Sequence, residues 1–285
     1  MKKVIVTGGA GFIGSYLIEK LVLDPDIRVV SLDNYFTGLK KNHSAGATYI
    51  EGHTKDISRH IKESIDIVYH LGEYPRVEQS FEDVERVWDY NITGTFAVIE
   101  FCRKQNSKLV YAGSSTKFSD NGLGRYQSPY AWTKAINSDL VKNYGNWYGL
   151  NYSIAYFYNV YGPRERSDEY GSVIEIFKDQ YRKGAPLTVR MPGTQRRNFT
   201  HVRDIVDGLL LIGEKGEKEE YGLGAEESYS ILDVAGMFES DIKMIPDRPG
   251  NRVDSSLDVS TARALGWNPR YNLKDYIADF HRRVE

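Results

Sequence analysis

Val4-Ile5-Val6-Thr7-Gly8-Gly9-Ala10-Gly11-Phe12-Ile13-Gly14 opens the chain and carries its strongest fold signal. A β-branched run ends in a cluster of glycines, and an amphipathic segment carrying Leu17, Ile18 and Leu21 follows. Glycines permit a tight strand-to-helix turn and a close backbone approach, while the free N–H groups and positive dipole end of the new helix face the space above. A pyrophosphate suits that geometry. The spacing fits Gly9-x-Gly11-x-x-Gly14 or Gly8-x-x-Gly11-x-x-Gly14, and by itself it is a weak signal. Its context strengthens it. A strand precedes, a helix follows, and Asp33 closes the next β-rich run about twenty residues on, where a carboxylate binds both ribose hydroxyls. That carboxylate favours NAD over NADP, because it repels a ribose phosphate.

Outward from this turn, strand-like and helix-like segments alternate. Val4–Thr7, Arg28–Leu32, Ala47–Glu51, Ile65–Leu71, Lys108–Ala112 and Asn151–Tyr158 read as strands, with long amphipathic stretches at Phe81–Gln105 and Pro129–Tyr148. Runs such as Ile65-Asp66-Ile67-Val68-Tyr69 suit strands covered on both faces. The expected fold is α/β: a Rossmann-type doubly wound parallel sheet with a smaller C-terminal α/β region that binds substrate. Residues 1–162 read as the NAD-binding domain, residues 163–285 as mainly the substrate region, and 199–215 as a segment returning to the first domain. Glu214–Glu220 reads as a solvated turn or helix end.

Composition narrows the class. The 285 residues suffice for a substantial core, and a net charge of −2 from 37 basic and 39 acidic residues gives no electrostatic case for nucleic acid. No apolar run approaches membrane-spanning length, and the chain starts directly with a strand, so the expectation is a cytoplasmic protein with no membrane partner. Cys102 is the single cysteine, which excludes an internal disulfide and cysteine-rich zinc clusters; it reads as a small buried hydrophobe, and no metal is expected.

Tyr130-Ala131-Trp132-Thr133-Lys134 puts a tyrosine and a lysine on one helix face, with Ser128-Pro129 as a helix start and Ser114-Ser115 after the fifth strand. With these motifs the chain resembles the extended short-chain dehydrogenase/reductase family, specifically its nucleotide-sugar epimerases and dehydratases of the UDP-glucose 4-epimerase type. The resemblance runs the whole length. It includes Asp33-Asn34 with Thr37-Gly38, His70-Leu71, Asn91-x-x-Gly94-Thr95, Asn159–Arg164, Gly193–Asp204, Arg248-Pro249-Gly250 and Leu265-Gly266-Trp267-x-Pro269.

The resemblance implies NAD held by Gly8, Gly11, Phe12, Ile13, Gly14, Asp33, Asn34, Gly38, Leu71, Asn91, Tyr130, Lys134 and Tyr158. It implies Tyr130 as acid/base, Lys134 as the residue that tunes it and holds the nicotinamide ribose, and Ser114 as the hydroxyl that orients the sugar, with Ser115 the competing assignment. A free tyrosine loses its proton only near ~10, so a base of this kind needs a neighbouring cation. Substrate contacts are implied for Ser114, Ser115, Tyr130, Asn159, Arg197, Arg248 and Ser255, the arginines for a diphosphate and the small Ser255 leaving room for an N-acetyl group. A homodimer through the two long helical stretches is also implied.

Dehydratase relatives carry an Asp-Glu pair directly after the serine/threonine position, and decarboxylating relatives a glutamate at the second of those places. This chain has Ser115-Thr116. Elimination is therefore disfavoured, and oxidation at C4 with return of the hydride to the other face is the plainest use of what remains. A C4 dehydrogenase or reductase that releases its product is the alternative, and a non-catalytic NAD-binding sensor a more distant one. Three departures from the family stand out: His53 where an aspartate is usual, Gly113 where serine is usual, and Glu73, expected at the rim of the site.

Overall fold

The computed structural model describes residues 1–247, 249–250 and 256–284. The glycine turn joins β1 (Lys2–Thr7) to α1 (Phe12–Leu21), and β2 (Ile27–Asp33) and β3 (Ala47–Glu51) extend the sheet to one side. The chain then crosses back through the single turn α2 (Ile57–His60) to β4 (Ile67–His70), which pairs with the other edge of β1. A second single turn, α3 (Val84–Val87), leads through a π-helical turn (Trp88–Gly94) into α4 (Thr95–Gln105). Then follow β5 (Lys108–Ser114), α5 (Pro129–Tyr148) and β6 (Tyr152–Phe157).

The smaller region begins with β7 (Val160–Tyr161), α6 (Val173–Arg182), β8 (Leu187–Arg190), β9 (Arg196–Asn198) and β10 (Thr200–His201). The chain returns through α7 (Val202–Lys215) and β11 (Glu219–Leu223), and it closes with β12 (Ser228–Ser230), α8 (Ile231–Gly236), β13 (Ile242–Ile245), α9 (Ser260–Ala264) and α10 (Leu273–Val284).

The main sheet is parallel, with order β11-β6-β5-β4-β1-β2-β3. Sequential strands run outward from β1 on one side and from β4 on the other, so the switch point lies between their carboxyl ends at Thr7 and His70, which are register partners. Two apolar clusters cover the faces. Leu17, Ile18 and Leu21 of α1 pack with Ile205, Val206 and Leu209 of α7 on one side, while Val98, Ile99 and Cys102 of α4 pack with Val141 and Tyr144 of α5 on the other. Cys102 is fully buried, as a small hydrophobe would be.

The returning segment is longer than 199–215. It carries β11 as the seventh strand, paired with β6, and Glu220 of the expected solvated run is held there by Lys142 (2.8 Å). The remaining region has its own core, including Phe177, Leu187, Val189, Phe238, Ile277 and Phe280. Among the described residues no helix is long and apolar enough to cross a membrane.

Candidate active site

A cavity of about 790 Å³ lies over the carboxyl ends of the main strands, walled on its far side by the smaller region. Its floor begins at the glycine turn. Gly8 has φ +70°, and a Cβ there would lie 2.9 Å from the Gly72 backbone, so the turns after β1 and β4 touch main chain to main chain. A Cβ at Gly14 would lie 2.2 Å from the Gly8 carbonyl oxygen, which bars any side chain. Gly8, Gly11 and Gly14 line the cavity, whereas Gly9 is turned onto Ser31 and Ile18; the spacing with Gly8 is the one the geometry uses. Gly11 is the N-cap of α1 and offers no side-chain cap, so the first N–H groups of the helix are left for a ligand beside Phe12 and Ile13.

Asp33 ends β2 with its carboxylate nearly buried, accepting from the Ala10 N–H (2.9 Å) and the Tyr35 N–H (2.8 Å). Burial raises its pKa, and those two bonds oppose the rise. Asn34 and Leu71 line the same end. A bare helix N-terminus with a carboxylate about one strand spacing away suits a dinucleotide diphosphate and ribose, so these residues fit the expected cofactor.

The chemistry-bearing residues converge at the centre. β5 ends at Ser114, whose Oγ accepts from the Thr116 hydroxyl (3.0 Å), and Ser115 and Thr116 follow along the wall. α5 starts where Ser128 Oγ accepts from the Ala131 N–H (3.0 Å) and Pro129 occupies the first turn, which puts Tyr130 and Lys134 on the face towards the cavity. Ser114, Tyr130 and Lys134 thus meet in one cavity with the glycine turn.

Glu73 is not a rim residue. Its side chain is 4% exposed and ion-paired with Lys134, which also donates to the Ala112 carbonyl. Glu73 Oε1 accepts from the Thr95 hydroxyl (2.9 Å), the Tyr111 hydroxyl (3.1 Å) and Asn137 Nδ2 (3.0 Å). A carboxylate can only accept, so the Thr95 proton points to Glu73, and His70 Nε2 must donate to Thr95 Oγ1 (2.9 Å). His70 Nδ1 then accepts from the Thr7 hydroxyl (2.7 Å), whose oxygen takes the Leu71 and Gly72 N–H groups (3.1 and 3.0 Å). Burial pushes the His70 pKa down to about 4, in keeping with this neutral tautomer. A directional chain thus runs from Thr7 at the end of β1 to the Glu73 carboxylate, which accepts from Lys134 on its other oxygen.

The end of the cavity towards the smaller region is polar. Asn159, Arg197, Gln195 and Arg190 line it, with Arg190 paired to Glu78 (2.6 Å). Arg197 on β9 is nearly buried and donates to the Arg196 carbonyl (2.8 Å). Glu165 also lines this end; it is 3% exposed, 3.9 Å from Arg76, and burial pushes its pKa up to about 7. Sequence reasoning missed Glu165, Arg76 and Arg190, since none belongs to a motif.

Three expected cofactor contacts lie off the cavity. Asn91 is fully buried in the π-turn, where Oδ1 accepts from the Tyr74 N–H (2.6 Å) and Nδ2 donates to Thr133 (3.0 Å), so it braces the Glu73 segment against α5. Tyr158 is a core residue whose hydroxyl donates to the Ser256 carbonyl (2.9 Å). Gly38 sits behind Asp33, where a Cβ would come within 2.8 Å of Oδ1. Arg248 and Ser255 lie outside the described residues. His53 caps a 3₁₀ turn by accepting the Lys55 N–H (3.0 Å), and Gly113 makes room for the Tyr156 ring.

The sequence pattern of the NAD dependent epimerase/dehydratase family matches residues 4–224. The chain belongs to that family. It is 29% identical to UDP-glucuronic acid decarboxylase 3 of Arabidopsis thaliana, over 96% of this chain and 86% of the relative. It is 30% identical to a putative UDP-glucose 4-epimerase of Methanocaldococcus jannaschii, over 96% of this chain and 95% of the relative. Among solved structures it is similar to the Thermus thermophilus UDP-glucose 4-epimerase in complex with NAD, with a TM-score of 0.87 and 28% identity over 98% of this chain and 99% of the other.

Proposed function

We propose that this chain is a NAD-dependent nucleotide-sugar 4-epimerase acting on a UDP-hexose or a UDP-N-acetylhexosamine. The observation that carries the reading is the convergence of Ser114, Tyr130 and Lys134 on the cavity of the glycine turn, with Ser115 and Thr116 where eliminating and decarboxylating relatives place acids. NAD, when bound, would supply the hydride acceptor. Gly8, Gly11 and Gly14 with the α1 N-terminus hold its diphosphate, and Asp33 its adenosine ribose.

Tyr130 would take the proton of the C4 hydroxyl while that carbon is oxidised and return a proton when the 4-keto group is reduced. Ser114 holds the hydroxyl in line, a role of orientation. Arg197 and Asn159 hold the nucleotide diphosphate so that the 4-keto sugar can turn without leaving. Thr116, a hydroxyl, cannot act as the acid/base that water elimination across C5 and C6 requires.

A homodimer completes the proposal. Trp88, Phe96, Trp132 and Trp147 are exposed on the π-turn, α4 and α5, and Trp88 stacks on Trp132 (5.8 Å), so these elements offer exposed aromatic side chains to a second copy. The test is a panel of UDP-, dTDP- and GDP-sugars, followed for C4 configuration and nicotinamide absorbance. Epimer formation without net NADH supports the reading; stoichiometric NADH favours a dehydrogenase, and no turnover favours a sensor.

A further inference from the structure

We propose that Glu73 is a positioning residue for Tyr130, a buried counter-charge that fixes Lys134 and offsets its ammonium. The inference rests on the functional reading above only for the role of Tyr130; the pairing itself is a property of the fold.

Lys134 has little freedom in this site. Its Nζ is bonded to Glu73 Oε2 and the Ala112 carbonyl, and it lies over the Tyr111 ring at 4.5 Å. Two of its three donor positions are therefore filled by the protein, leaving one for a ribose hydroxyl. Glu73 is held as firmly, since Thr95 from α4, Tyr111 from β5 and Asn137 from α5 all converge on Oε1. Every one of these partners donates, so the arrangement is built for a carboxylate at this place. A glutamine would turn an NH2 group towards either the lysine or the three donors.

The electrostatic consequence concerns Tyr130. In a site with the lysine alone, the full ammonium charge would act on the phenol one helical turn away. Here a carboxylate in contact with that ammonium cancels most of its field. The titratable and charged groups facing the pair are His70 from β4, Tyr111 from β5 and Tyr130 from α5. His70 is held neutral by burial, and the Tyr111 hydroxyl is pushed well above its usual range, so neither contributes charge near neutral pH. The net charge beneath Tyr130 is thus close to zero, so Lys134 gives the phenol little of the field that a lone ammonium would.

Tyrosinate absorbance near 295 nm, read as the protein minus its Tyr130→Phe variant, isolates one of the 21 tyrosines and needs neither substrate nor turnover. Glu73→Gln removes a buried negative charge, so every proton nearby becomes more acidic. The Tyr130 step is expected to move down by about one pH unit, and the rising limb of kcat against pH to move with it. Glu73→Asp keeps the charge and is expected to leave the step where it is, with kcat lowered. A step that stays within a few tenths of a unit in Glu73→Gln overturns the proposal, and so does one that moves equally in the aspartate variant. Should Glu73→Gln not fold, Lys134→Met gives the opposite reading: an unopposed carboxylate raises the step, and an unmoved step overturns the proposal. Absence of turnover with every nucleotide-sugar would sink the functional reading and leave this titration intact.

Discussion

Glu165 offers the sharpest linkage between structure and stability. Its side chain is 3% exposed, and Oε1 stands 3.9 Å from Arg76. Desolvation is the main cause of its raised pKa, which is pushed up to about 7 from 4.5, with the Arg76 charge opposing. Between those two values the native state keeps a proton that the unfolded chain has lost, so this group's contribution to stability is full below pH 4.5 and falls as pH rises towards 7. Each pH unit crossed in that window costs about 1.4 kcal/mol, so the loss between pH 5 and pH 8 is about 2.5 kcal/mol. Glu165→Gln removes the titration and keeps the shape. The stability of the variant minus that of the wild type, from urea unfolding followed by tryptophan fluorescence, should therefore rise by about 2.5 kcal/mol from pH 5 to pH 8. A difference that stays constant within about 0.5 kcal/mol across that range would refute the reasoning, because Glu165 would then carry no extra proton in the folded state.

Other perturbations probe the rest of the site. Tyr130→Phe should lower kcat by about 10²–10⁴-fold while the purified protein still binds NAD, as measured by cofactor content after denaturation. Gly14→Ala puts a methyl 2.2 Å from the Gly8 carbonyl oxygen; it should displace the turn, abolish cofactor retention and cost about 1–3 kcal/mol in thermal or urea unfolding. Phe96→Glu on the exposed aromatic face should convert a dimer to a monomer in light scattering, and unchanged mass would remove that face from the interface.

The sequence carried the fold where local chemistry set the boundaries. Ser128-Pro129 at the start and Gly149 at the end mark α5, and the observed helix runs Pro129–Tyr148 with Gly149 in the left-handed conformation. Ala47–Glu51 coincides with β3 because its β-branched and aromatic residues are bounded by Gly46 and Gly52. The stretch Phe81–Gln105 did not form one regular helix. A π-turn over Trp88–Gly94 re-aims Asn91 inwards, and periodicity cannot reveal an inserted residue. β11 was illegible because it opens with Glu219-Glu220, and its reason to be a strand is Lys142 and β6, far away in sequence.

The site divides along the same line. Ser114, Tyr130, Lys134, Asp33 and the glycine turn belong to compact motifs and meet in the cavity. Glu73 finds its partners 61, 38 and 22 residues away in Lys134, Tyr111 and Thr95, so its burial depends on three elements that only the folded sheet brings together. Glu165 and Arg76 are joined in the same long-range way. No motif marks Glu165 or Arg76, and tertiary pairing puts Glu73 and Glu165 inside.

The central claim is that one hydride leaves C4 and returns to it while NAD stays in place. A UDP-hexose carrying deuterium at C4 tests it directly. The recovered C4 epimer should retain the deuterium, with no accumulation of reduced nicotinamide in solution. Deuterium lost to solvent, or reduced cofactor released in step with product, would contradict it.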